Sequence, residues 1–124
     1  MDWLWTWSGT YFGYREGDNL WTYDGRHVGR FTGTDVFACD GAYLGELIGD
    51  NRLITDRAKL GWRQDGFTPF ETRIVYACCA DYIGYEMDAG YEDFPAPKAL
   101  TAKHNRERAA RRYRTREQAD AAVF

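Results

Sequence analysis

Hydrophobic and polar positions along the first 65 residues recur with a step of sixteen. Gly13, Gly29, Gly45 and Gly61 mark the step. The residue before each is apolar (Phe12, Val28, Leu44, Leu60), and eight before each stand Trp5, Trp21, Phe37 and Leu53. Five before stand Ser8, Asp24, Asp40 and Asp56, followed by Gly9, Gly25, Gly41 and then Arg57. Four after stand Gly17, Gly33, Gly49 and then Asp65, so only the fourth unit lacks its flanking glycines.

Each unit reads as a β-hairpin. Asp24-Gly25 and Asp40-Gly41 suit a two-residue type I′ turn, which needs positive φ at both central positions. That register pairs Trp21 with Val28, Trp5 with Phe12, Phe37 with Leu44 and Leu53 with Leu60. Side chains alternate along a strand, so these pairs share one face. The other face sets Gly13, Gly29 and Gly45 across from Leu4, Leu20 and Val36, which suggests a bend in every unit. Turn sequences at Gly17, Gly33 and Gly49 reverse the chain between units. The result is an antiparallel meander of about eight short strands, and repetition favours its closure.

Val75–Gly84 echoes Val36–Gly45 but lies out of period, behind a loop over 63–72. It predicts an additional hairpin that extends or seals the sheet. After Glu86 the chain turns acidic and reaches Pro95-Ala96-Pro97, which reads as a stiff linker. Residues 99–122 are helical by composition. The expected organisation is a β-domain over 1–95 and a linker with a basic helical tail over 96–124.

Charge sharpens that division. Residues 1–97 hold eight basic and sixteen acidic side chains, net −8; residues 98–124 hold eight and three, net +5. Lys103, Arg106, Arg108, Arg111, Arg112, Arg114 and Arg116 could contact an anionic surface, a membrane or less favourably nucleic acid. The bland alternative is a solvated helix, or one held against the acidic body.

The repeat residues Tyr23–Gly29, Asp40–Glu46 and Asn51–Ile54 resemble the bacterial β-flower proteins, over roughly residues 3–70. The resemblance implies a shallow barrel of hairpin petals around an apolar channel, with a Tubby C-terminal-like shape. It implies no established biochemical function and supplies no catalytic residues.

Little else in the chain carries chemistry. The turn aspartates are explained by turn geometry. His27 occupies a position held by Tyr11, Tyr43 and Lys59 in other units, which suits a structural role, and His104 lies far off in the tail. Cys39, Cys78 and Cys79 read as small buried hydrophobes rather than a metal or redox site. No phosphate-binding, zinc-protease or nucleophile-elbow motif occurs, so no catalytic residue, cofactor or metal is expected. No apolar run approaches the ~20 residues of a membrane span, and the first residues do not read as a signal peptide. The expectation is a cytoplasmic protein, free or peripheral to a membrane.

One constellation invites a functional reading: Trp5, Phe12, Trp21, Val28, Phe37, Leu44, Leu53 and Leu60. They are either an ordinary core or the lining of a channel wide enough for an acyl chain. The sequence therefore points to a non-enzymatic binding module for an apolar ligand or lipid. The alternative is an assembly protein with a protein or nucleic-acid partner.

Overall fold

The computed structural model describes residues 1–74 and 79–100. The fold is all-β. Seven strands run in chain order: β1 (Asp2–Thr6), β2 (Tyr11–Glu16), β3 (Asn19–Thr22), β4 (His27–Thr32), β5 (Asp35–Phe37), β6 (Tyr43–Ile48) and β7 (Arg52–Asp56). Each pairs antiparallel with the next. Parallel pairing of Trp5 with Arg52 and Thr6 with Leu53 closes β1 on β7 into a barrel. A short β8 (Tyr91–Asp93) adds to the end of β7.

Two kinds of turn alternate. Between hairpins, Gly17 and Gly33 take φ +60° and +62°, and among the described residues no non-glycine has positive φ. Positive φ at the first central residue alone is the type II′ pattern. At the hairpin tips the expected type I′ turn does not form. Gly25 N–H donates to Thr22 O (3.1 Å), and Thr22 N–H donates to Arg26 O (2.9 Å). The loop is thus three residues, a type I turn with glycine in the left-handed region. The tips at Gly9 and Gly41 repeat these bonds.

The extra loop residue changes which side chains face inward. Trp21 pairs with His27, not Val28, while Leu20 still pairs with Gly29; the register shifts between them. Trp5 pairs with Tyr11 and Phe37 with Tyr43, with the same shift. Phe12, Val28 and Leu44 are therefore bulge residues, sixteen apart. They join Leu4, Leu20, Val36 and Leu53 in one buried apolar cluster. Trp5, Trp21 and Phe37 are buried too, but outside that cluster.

The fourth hairpin does not form. Its tip would need glycine where Arg57 stands. The chain instead makes a 3₁₀ turn over Arg57–Lys59, capped by Asp56 Oδ1 on Ala58 N–H (3.0 Å). Leu60 does not pair with Leu53 and is 43% exposed.

The last described residues close the cluster. Phe94 packs edge-on against Phe12 at 5.2 Å, and Leu100 joins the same cluster. Arg26 holds this segment, donating through Nη1 to Leu100 O and through Nη2 to Pro97 O, both at 2.8 Å. Pro97 is buried, so the Pro95–Pro97 stretch packs on the barrel instead of standing off as a linker.

Candidate binding surface

After β7 the chain runs back around the outside of the barrel as a strap. It meets the three hairpin tips in reverse order. Gln64 N–H donates to Gly41 O (2.9 Å), Arg73 N–H to Gly25 O (2.7 Å) and Tyr82 N–H to Gly9 O (2.8 Å). A second set follows three residues on: Phe67 N–H to Cys39 O and Tyr85 N–H to Trp7 O, both at 3.0 Å. Nine residues of strap therefore match sixteen residues of barrel. A Cβ at Gly41 would lie 2.0 Å from Gln64 O, and one at Gly9 would lie 2.1 Å from Tyr82 O. The tip glycines serve both the turn and this close approach.

The additional hairpin expected over 75–84 is corrected by this arrangement. Residues 79–84 form no strand and belong to the strap; 75–78 lie outside the described residues.

The strap covers an outer aromatic layer. Trp5 stacks on Tyr82 at 3.9 Å, Trp7 meets Tyr85 at 4.9 Å, and Tyr43 meets Trp62 at 6.4 Å. Trp21 stacks on His27, which stacks on Phe70, each pair at 5.0 Å. Guanidinium groups lie over the rings: Arg73 over Trp21 at 3.8 Å, Arg30 over Phe67 at 4.6 Å and Arg52 over Tyr85 at 4.5 Å. Such cation–π contacts contribute roughly 0.5–2 kcal/mol each.

His27 is the polar member of this layer. Its Nδ1 accepts from Phe70 N–H at 3.0 Å, so Nδ1 carries no proton and Nε2 donates to Gly29 O at 3.1 Å. That is the neutral imidazole with both nitrogens used. Burial pushes its pKa down from 6.5, and the positive charges of Arg30 and Arg73 push the same way, outweighing the Gly29 carbonyl. The structural role expected for His27 fits this geometry.

The candidate channel residues thus separate into three places. Phe12, Val28, Leu44 and Leu53 are interior, Trp5, Trp21 and Phe37 lie in other buried layers, and Leu60 is at the surface. The anionic-surface candidates from Lys103 to Arg116 lie outside the described residues. Cys79 is disulfide-bonded, in contrast to the buried thiol expected of it. Among the described residues, no group of three or more His, Cys, Asp or Glu is placed to hold a metal ion, and no helix is long and apolar enough to cross a membrane.

The chain matches no family model, no curated protein and no solved structure. Its functional reading rests on its own surface.

That surface has a feature the sequence reading missed. Trp62, Phe70, Ile74, Tyr82, Ile83 and Tyr85 are all exposed along the strap. Ile74 and Ile83 follow the two pinned residues Arg73 and Tyr82, so they hold equivalent places nine residues apart. They are 81% and 90% exposed.

Proposed function

We propose that this protein is a non-enzymatic binding module that meets an anionic lipid surface with the outer edge of its strap. The observation that carries the reading is the exposure of Ile74 and Ile83 on a backbone pinned to the barrel. An apolar side chain held out in this way has no place in the fold to retreat to. Burying one such side chain contributes roughly 1.5–3 kcal/mol. The basic tail would add about 1 kcal/mol for each residue that reaches an anionic headgroup layer. Lipid contact is assigned to the outside, because the interior cluster is filled by Phe12, Leu20, Leu44, Leu53 and Phe94.

Liposome flotation tests this. The full chain should float with phosphatidylserine-containing vesicles and less with neutral ones. Ile74→Asp combined with Ile83→Asp should abolish flotation without changing the far-ultraviolet circular dichroism. Equal flotation of the double variant would remove the strap from the reading. A full chain that stays in solution with every vesicle would end it and favour a protein partner.

A further inference from the structure

The strap and the closing segment leave a cleft of about 390 Å³ between the first two hairpins. Its size is in the range of small-molecule sites, roughly 300–1,000 Å³. Tyr11, Tyr23 and Pro97 give it a mostly apolar wall; Thr10, Asp81 and Lys98 add polar groups.

The two charges come from different segments, and each segment is fixed. Asp81 Oδ1 accepts from Tyr11 N–H at 2.8 Å, leaving its second oxygen for another donor. Its neighbours are pinned by Trp5 Nε1–H donating to Ala80 O (2.9 Å) and by the Tyr82–Gly9 bond. Lys98 sits on the 3₁₀ turn Pro97–Ala99, whose Pro97 carbonyl is gripped by Arg26. Asp81 and Lys98 are both exposed, and no ion pair joins them among the described residues. Opposite charges lining one cleft without meeting can be bridged by a molecule carrying both.

We infer that this cleft binds a small zwitterion with an apolar body, its ammonium on Asp81 and its carboxylate or phosphate on Lys98. The apolar part lies against Tyr11, Tyr23 and Pro97. A free amino acid and a zwitterionic lipid headgroup share this chemistry. The inference does not rest on the strap's contact with a lipid surface.

Isothermal titration of the full chain separates the sources. The probes are L-phenylalanine, a short-chain lysophosphatidylethanolamine, and the single-charge controls phenethylamine and 3-phenylpropionate. At least one zwitterion should saturate, more tightly than either control. Asp81→Asn keeps an acceptor for Tyr11 N–H but removes the charge, and Lys98→Gln removes the other charge at an exposed position. Each should weaken binding about tenfold or more. Saturation by phenylalanine assigns a free amino acid, and by the lysolipid a headgroup. The inference is overturned if neither zwitterion saturates, if a control binds as tightly, or if both variants bind unchanged.

Discussion

The barrel interior and the layer outside it are built from the same repeat but spend their residues differently. Inside, Leu4, Leu20, Val36 and the bulge residues Phe12, Val28 and Leu44 pack into one aliphatic-rich cluster. Outside, Trp5, Trp21 and His27 face a strap that brings its own aromatics and Arg73, with Tyr14 stacked on Trp21. The interior is held mainly by apolar burial, with Arg26 fastening the closing segment that carries Leu100. The outer layer is held by burial, cation–π contacts and a ladder of strap amides on tip carbonyls. An aromatic share of 17% is therefore not evidence of a lined channel. In this chain it glues a second wrapping of backbone onto a small barrel.

The sharpest way to break that comparison is at the glycines. Gly41 has φ +87° and lies against the strap, whereas Gly33 has φ +62° with nothing within 4 Å of a Cβ. Gly33→Ala should cost only the left-handed backbone strain, about 1–2 kcal/mol. Gly41→Ala carries the same strain and must also push Gln64 away, for a total of about 3 kcal/mol or more. Urea unfolding midpoints measure both. Equal losses would mean that the strap is not seated on the tip.

A smaller effect concerns pH. The folded protein holds His27 neutral with its pKa below 6.5, whereas an unfolded chain protonates it near that value. The unfolded state thus binds more protons, and stability must fall as pH drops below about 6.5 until the folded pKa is reached. Between pH 7 and 5, His27→Gln should be less stable than the parent at neutral pH but lose less on acidification. Parallel pH profiles for the two proteins would deny His27 its place in the outer layer.

Much of this was legible in the sequence. The sixteen-residue period, the tip glycines and the turns at Gly17 and Gly33 gave the meander and its closure. What failed was the face assignment, for a specific reason. Asp-Gly serves a two-residue type I′ loop and also the last two places of a three-residue loop. The extra loop residue sets Trp21 opposite His27 and leaves Val28 as a bulge packed with Leu20, while Leu20 keeps its pairing with Gly29. The two-residue reading put Trp5, Trp21 and Phe37 on the axis when they belong outside.

The failed fourth hairpin did leave a signal, because Arg57 cannot easily take the conformation of Gly41. The strap also left one. Phe67, Tyr76 and Tyr85 are nine apart, as are Gln64, Arg73 and Tyr82. The likeness of Val75–Gly84 to Val36–Gly45 drew attention to a hairpin instead. The docking of Pro97 and Leu100 had no sequence signature. It depends on Arg26, more than seventy residues away, reaching their carbonyls.

The central claim is that the strap is a distinct layer, fastened amide by amide to the hairpin tips. Native-state hydrogen exchange resolved to single residues tests it most directly. The amides of Gln64, Phe67, Arg73, Tyr82 and Tyr85 should be protected, and should open together at lower free energy than the β2–β3 and β6–β7 ladders. Exchange of those five at the rates of an unstructured chain would contradict the account, because the strap would then not be bonded to the barrel at all.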